Sequence, residues 1–280
     1  MSATAGEQTR PGAAQWYLDP ARLEDDIREH SRVAVGGYAD LVAPGTITCS
    51  AEAVGLLRTI HALETATLEW LRIILVSPTH SDAQVTAFLC TWAYERHWVA
   101  DALAQVVADH GGVVTDARSR GQWRSEAWQR IAPIGEAVWT NLIGDDVVAA
   151  HLVEAAIGEA LGLVVLRRLG EREPGLEPLC RAIRATKQVH LNYFRTRAAA
   201  DLAASSRAQR LVRLRLRRFR WPTAGPAVAR TDLDALVDAL LTPADCRDEV
   251  GALLAALPGS ERVRVGLLRH RIILDVGSRS

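Results

Sequence analysis

Residues 145–169, DDVVAAHLVEAAIGEALGLVVLRRL, decide the fold of this chain. Apolar side chains recur there at spacings of three and four from Val148 to Leu169, and this spacing predicts one face of a long α-helix. Glu159 interrupts that face at its centre, where a leucine would be the ordinary choice. Because charged residues are rarely left on a buried face unless they are paired or functional, Glu159 marks a candidate site.

Three other long helices are predicted around this one, with boundaries set by capping and helix-breaking residues. The four predicted helices are residues 50–76, capped by Ser50; 82–110, preceded by a capping box of Ser81 and Gln84; 145–169, closed by Gly170; and 178–204, which follows Pro174 or Pro178. The connection between the last two is short, so they are expected to be antiparallel neighbours.

Each of the other three helices also has a charged residue in the middle of its apolar face. These residues are Glu64, Arg96 and Lys187, and His190 follows Lys187 by three positions on the same face. The inward faces of a helical bundle share one core, so these positions are expected to meet. The sequence therefore predicts a buried site of two carboxylates and two cations.

The chain divides into three parts by composition. The predicted parts are residues 1–49, an N-terminal arm with an entry helix at 19–32; 50–205, the helical bundle; and 206–280, a basic helical extension with further helices at 231–241 and 244–257. Seven arginines lie between Arg207 and Arg220, where an acidic carrier protein or a phosphate group is a conceivable partner.

Composition limits the class of protein. The 280 residues are 49% hydrophobic with a formal net charge of zero, so no global field favours nucleic acid as a partner. Four widely spaced cysteines without a CxxC pair argue against a disulfide framework or a structural zinc site. No secretory signal and no apolar run of roughly 18 residues for a membrane span is visible. We therefore expect a cytoplasmic protein.

Four segments together resemble a known family. Residues 88–103 resemble the second-helix Glu-Glu-x-x-His segment of ferritin-like proteins of the acyl-carrier-protein desaturase type, and residues 148–159 resemble their third helix. Residues 182–194 resemble their fourth-helix Glu-x-x-His segment, and residues 206–222 resemble the basic extension of a bacterial branch. The resemblance covers roughly residues 50–225. It implies an all-α, ferritin-like four-helix bundle with additional C-terminal helices, and a homodimer.

The resemblance also implies a di-iron site that this chain does not keep intact. Three of the six expected ligand positions change type, and three keep it. Arg96, Val99 and Lys187 stand where the family has Glu, His and Glu, whereas Glu64, Glu159 and His190 are retained, with Glu154 as a competing register. A cation repels a metal but neutralises carboxylates directly, so we expect Glu64 to pair with Arg96 and Glu159 with Lys187.

These observations favour an enzyme of bacterial secondary metabolism that needs no metal. It is expected to perform a cyclisation, isomerisation or elimination on a small apolar substrate in the bundle core. The candidate catalytic residues are Glu64, Arg96, Glu159, Lys187 and His190, as carbonyl-polarising cations and proton carriers. The candidate substrate-pocket residues are Trp92, Tyr94, Val99, Glu154 and Tyr193.

Two alternatives stay open at the level of sequence. In the first, a shifted ligand set of Glu64, Glu95, Glu154 and His190 binds iron, and the protein is an oxygenase or desaturase. In the second, the buried charges only hold the bundle together, and the protein is a non-catalytic scaffold or binding protein.

Overall fold

The computed structural model describes residues 38–75, 77–114, 144–217, 219, 221, 228–260, 264–267 and 272–275. The predicted entry helix at 19–32 lies outside the described residues. Within them the chain is mainly helical, as predicted. The α-helices are α1 (Ala51–Thr65), α2 (Thr67–Leu75), α3 (Ala83–Asp109), α4 (Asp146–Arg172), α5 (Glu177–Ala204), α6 (Ser206–Leu216), α7 (Arg230–Leu240) and α8 (Pro243–Ala255).

One antiparallel hairpin follows the helices. Strand β1 (Arg264–Leu267) pairs with β2 (Ile272–Asp275), and Arg264 lies opposite Asp275. The hairpin falls in the arginine-rich C-terminal segment, which has no helical periodicity. Two short 3₁₀ turns, Pro78–Ser81 and Pro174–Leu176, precede α3 and α5.

The first predicted helix is divided in two at Ala66. Ser50 caps its start as predicted, because the Ser50 hydroxyl accepts a hydrogen bond from the Ala53 N–H at 3.1 Å. Near the division, the hydroxyls of Thr65 and Thr67 donate to backbone carbonyls of the preceding turn. Such bonds compete with the helix ladder and bend helices, which accounts for the break.

Two predicted helix ends were wrong. The N-cap of α3 is Asp82, whose carboxylate accepts from the Val85 N–H at 2.9 Å, whereas Ser81 belongs to the preceding 3₁₀ turn. Helix α4 continues through Gly170 to Arg172. A Cβ atom at Gly170 would lie 2.1 Å from Glu177 Oε2, so this glycine permits close packing of α4 against α5 instead of ending the helix.

Contacts between helix ends define the direction of each helix in the bundle. The Cys49 N–H, before α1, donates to His110 Nε2, after α3, so α1 and α3 are antiparallel. Glu52 at the start of α1 pairs with Arg172 at the end of α4 at 2.7 Å, so these two are also antiparallel. Helices α3 and α4 are consequently parallel.

Helix α5 completes the bundle as the antiparallel neighbour of α4. The connection between them is the predicted short one, through the Pro174–Leu176 turn. Arg197, late in α5, pairs with Asp82 at the start of α3 at 2.6 Å, so α5 is antiparallel to α3 as well. Helices α1, α3, α4 and α5 therefore form a bundle of antiparallel and parallel neighbours.

Helix α4 is the centre of the core. By length and composition it is the one described helix that could cross a membrane, but 83% of its most apolar window is buried inside the protein. The core helix of a helical bundle passes the same test. Helices α6 and α8 pack against α4, and α7 contacts both α1 and α4.

The connection between α4 and α5 is held by a close backbone approach at Gly175. A Cβ atom there would lie 2.1 Å from the Thr48 carbonyl oxygen, which is backbone and cannot rotate away. We expect Gly175→Ala to lower the free energy of unfolding by about 1–3 kcal/mol, measured by urea denaturation. The control is Gly55→Ala on the exposed face of α1, where a Cβ atom meets nothing within 4 Å. It should stabilise by about 0.5–1 kcal/mol. Equal effects at both positions would contradict the packing argument.

Candidate functional site

Four helices each contribute one charged side chain to the centre of the bundle. Glu64 comes from the last turn of α1, Arg96 from α3, Glu159 from α4 and Lys187 from α5. We call these four residues the charge quartet. Glu159 is fully buried, Lys187 and Glu64 are 2% and 5% exposed, and the Arg96 side chain is 13% exposed.

Both predicted pairs are present in the quartet, and each cation also contacts the second carboxylate. Arg96 Nε lies 2.7 Å from Glu64 Oε2, and Arg96 Nη1 lies 2.7 Å from Glu159 Oε1. Lys187 Nζ lies 2.9 Å from Glu64 Oε1 and 3.2 Å from Glu159 Oε2. The contact of Arg96 Nε with Glu64 is an ion pair without hydrogen-bond alignment. Every carboxylate oxygen of the quartet therefore faces a cation.

Glu159 is the most strongly held member. Its Oε1 also accepts a hydrogen bond from Trp92 Nε1 at 2.8 Å. Burial by itself raises the pKa of Glu159, but the charges of Lys187 and Arg96 outweigh it and lower the pKa from 4.5 to about 2. Glu159 is therefore ionised at neutral pH and is a weak base, which makes it a poor proton acceptor.

His190 lies beside the quartet but pairs with a different carboxylate. Its Nε2 forms a short contact with Glu95 Oε2, and both side chains are almost completely buried. His190 Nδ1 lies 4.0 Å from Glu159 Oε1. Glu95, which the sequence analysis named as a ligand of the alternative metal site, points inward as the partner of His190.

Glu154 is held apart from the quartet. Arg215 of α6 binds it with two nitrogens, at 2.7 Å from Nε to Oε1 and 3.1 Å from Nη2 to Oε2. The two candidate registers of α4 are thereby distinguished, because Glu159 joins the quartet and Glu154 lies about one turn away. The residues of the alternative iron site consequently do not form one site, because Glu95 contacts His190 while Glu154 contacts Arg215.

A cleft between α1 and α4 opens onto the quartet. Its empty volume is about 740 Å³, open solvent at its mouth included. Glu64, Arg96 and Lys187 line it, together with Glu154. Its apolar lining includes Ile60, Leu63, Trp70, Trp92, Val165, Leu166 and Trp221.

Small residues of α4 create the space. Gly158 and Gly162, one turn apart, both line the cleft. A Cβ atom at Gly158 would meet nothing within 4 Å, so that position is open. At Gly162 the nearest atom is Lys187 Cδ, at 3.6 Å. Because glycine has no side chain, the charged floor remains reachable from the mouth.

Three of the predicted pocket residues do not line this cleft. Tyr94 is 39% exposed, because it precedes Arg96 by two positions and so points to another face of α3. Val99 is packed in the core at 1% exposure. Tyr193 stacks on Phe88 with ring centroids 3.6 Å apart, which directs it away from the cleft. Only Trp92 and Glu154 of the predicted pocket set line it.

Sequence reasoning missed Trp70, Trp221, Arg215 and the two glycines. The glycine pair was visible as small residues at i and i+4 on the face next to Glu159. Trp221 and Arg215 come from the C-terminal extension, and no local pattern indicates that this segment returns to the bundle. In the structure Trp221 lines the cleft, and Arg215 neutralises Glu154.

The quartet does not fit a di-iron centre. A metal between Glu64 and Glu159 would meet two cationic groups 2.7–3.2 Å from the same carboxylate oxygens. The donor set at the centre is thus two carboxylates already neutralised by Arg96 and Lys187. Within the described segments, no group of three or more His, Cys, Asp and Glu side chains is placed to hold a metal ion.

Comparison of the chain with protein-family models, with curated proteins and with solved structures finds no match. The geometry of the cleft and the quartet therefore carries the functional argument.

Removing one cation of the quartet should destabilise the fold strongly. Lys187→Met leaves two buried carboxylates with one cation, and we expect a loss of about 3–5 kcal/mol in the free energy of unfolding, measured by urea denaturation. Arg184→Met is the control on the same helix, because Arg184 forms a partly exposed pair with Glu177. It should cost less than about 1 kcal/mol.

Restoring charge balance should recover most of this loss. In the double variant Lys187→Met with Glu64→Gln, Arg96 and Glu159 remain as a neutral pair. Its free energy of unfolding is expected to exceed that of Lys187→Met alone. A double variant less stable than the single one would show that charge balance does not govern this core.

The low pKa of Glu159 predicts how stability depends on pH. The folded-state value is depressed, so ionised Glu159 stabilises the fold above its ordinary pKa of 4.5, and this is lost as pH falls toward about 2. The stability advantage of the wild type over Glu159→Gln should be constant near neutral pH. It should shrink by on the order of 3 kcal/mol across that acidic window. Urea denaturation at a series of pH values measures this difference, and a pH-independent difference would contradict it.

Proposed function

We propose that this protein is a ferritin-like enzyme that catalyses metal-independent acid/base chemistry on a small, largely apolar molecule in the cleft. The proposal depends on one observation, namely a cleft with an apolar, tryptophan-rich wall and a floor that presents Arg96, Lys187 and Glu64. Cations beside a carboxylate, in a site with little water, are the groups that stabilise an enolate and move its proton.

The helix directions support a ferritin-like assignment. Helices α1 and α3 form one antiparallel pair and α4 and α5 form another, with α3 parallel to α4. This arrangement agrees with ferritin-like bundles, which have one long connection. The quartet occupies one position on each long helix at a common level, as the metal ligands of such bundles do.

The three cleft-lining members of the quartet have complementary roles. Lys187 and Arg96 donate hydrogen bonds to a substrate carbonyl oxygen, because neither cation spends all its N–H groups on Glu64 and Glu159. Glu64 is the proton carrier, since it lines the cleft whereas Glu159 lies behind it. Glu159 holds both cations in place, and Trp92 fixes its orientation.

The proposed step is a proton transfer that needs no other reactant. A Glu64 oxygen takes the proton from a carbon next to the substrate carbonyl, so a C–H bond breaks and an O–H bond forms. The released electron pair forms a C=C bond, and the carbonyl oxygen becomes an enolate oxygen held by Lys187 and Arg96. Return of the proton to another carbon of the conjugated system completes an isomerisation.

The scaffold alternative is favoured by one observation, namely that the quartet compensates its own charges. A protein that served only as a scaffold, however, would be more stable if a larger side chain filled the empty space at Gly158. We therefore treat the scaffold as the result expected if the following exchange experiment fails.

Hydrogen–deuterium exchange tests the proposed chemistry directly. A panel of small uncharged ketones is incubated with the protein in D₂O, and loss of the C–H signals next to the carbonyl is followed by NMR. Exchange should exceed the buffer rate and fall by at least about 100-fold in Glu64→Gln. Gly158→Leu, which fills the cleft, should abolish it, and Gly55→Leu on the exposed face of α1 should not. Exchange that never exceeds buffer would favour the scaffold.

Metal dependence separates this proposal from an iron oxygenase. The exchange activity should persist after treatment with a chelator and under nitrogen. Stoichiometric iron in the purified protein, together with an oxygen-dependent activity, would overturn the proposal. Elemental analysis and the same NMR assay measure both outcomes.

A further inference from the structure

The charges around the cleft balance, and this limits what can enter. Among the described residues, three carboxylates and three cations line the cleft or contact a residue that lines it. They are Glu64, Glu154, Glu159, Arg96, Lys187 and Arg215. Each carboxylate oxygen of this set lies 2.7–3.2 Å from a cation. A charged ligand would bring an unbalanced charge into a largely buried place, which is strongly unfavourable. The bound molecule should therefore be uncharged.

The cations on the floor of the cleft offer hydrogen-bond donors to a ligand. An ammonium group has three N–H donors, and among the described residues Lys187 forms ion pairs with two carboxylates, Glu64 and Glu159. The Nη2 group of Arg96 takes no part in the contacts with those two carboxylates, which involve Nε and Nη1. Each carboxylate oxygen of the quartet faces a cation, and Glu64 Oε2 does so without a hydrogen bond. A carbonyl oxygen is uncharged, accepts hydrogen bonds from such donors and donates none itself.

The walls favour a flat body for the ligand. Trp70 and Trp92 both line the cleft, with ring centroids 5.6 Å apart and an interplanar angle of 74°. Trp221 adds a third indole, and Gly158 leaves open space opposite. Aromatic faces pack best against flat, conjugated rings, and glycine allows such a ring to approach the backbone of α4.

We infer that the substrate is an uncharged, planar, conjugated ketone, with its ring against the tryptophan-rich wall of the cleft and its carbonyl at Lys187 and Arg96. The inference rests on the proposed function, because it names the substrate class of the same cleft. It goes beyond the reaction type, since acid/base chemistry alone does not exclude carboxylates, amines or flexible aliphatic ketones.

A matched set of ligands tests this class. Acetylnaphthalene, naphthoate, naphthylmethylamine and ethylnaphthalene share one ring and differ in the attached group, and an open-chain aliphatic ketone keeps the carbonyl without the ring. Dissociation constants are measured by calorimetry on the full chain. Acetylnaphthalene should bind at least about tenfold tighter than each of the others. Gly158→Leu should remove its binding, and Gly55→Leu should retain it.

Each outcome bears on the inference. Tighter binding of naphthoate would overturn the uncharged class, and equal binding of ethylnaphthalene would remove the carbonyl from recognition. Tighter binding of the aliphatic ketone would overturn the planar class, as would failure of all five compounds to bind. The exchange assay distinguishes the two proposals. If acetylnaphthalene binds without exchange, the substrate class is supported and the proposed proton transfer is contradicted. If only aliphatic ketones exchange, the proton transfer is supported and the substrate class is contradicted.

Discussion

The buried charge quartet is the constraint on which the rest of the structure depends. Two carboxylates and two cations lie at the level where the four long helices meet, and each cation is shared by both carboxylates. Such an arrangement is tolerable in a core only because the charges balance and the geometry is tight. The helix directions bring these four groups within reach of one another, and the hydrogen bond from Trp92 holds Glu159 in place.

The quartet was predictable from sequence because it breaks a strong rule. A helix face that is otherwise apolar, with Glu159 or Lys187 at its centre, violates the ordinary pattern, so the violation itself identifies the position. Long periodic helices such as α3 and α5 were likewise predictable, because their spacing and flanking breakers agree. The finer boundaries failed where tertiary contacts override local signals. Gly170 has the pattern of a helix end, but α4 continues through it with the Glu177 carboxylate close by, and Asp82 takes the capping role from Ser81.

The cleft was less predictable, and the reason is physical. Tryptophans and tyrosines at helical spacing do not indicate which of several buried directions they take. The sequence pattern does not distinguish the directions of Tyr193 and Trp92. In the structure, Tyr193 stacks on Phe88, whereas Trp92 donates a hydrogen bond to Glu159. The lining also draws on Trp221, which lies far along the chain. A wall built from a distant segment leaves no local periodicity, so only the folded structure reveals it.

The shared contacts of the quartet also restrict how the sequence can drift over time. Any single replacement that alters the charge at position 64, 96, 159 or 187 leaves an uncompensated ion in the core, and selection against instability removes it. Tolerated changes must then come in pairs of opposite sign, or replace a carboxylate and a cation together by neutral groups. The four positions should consequently covary among descendants of this chain, while the neighbouring leucines of the same helices exchange freely with other aliphatic residues.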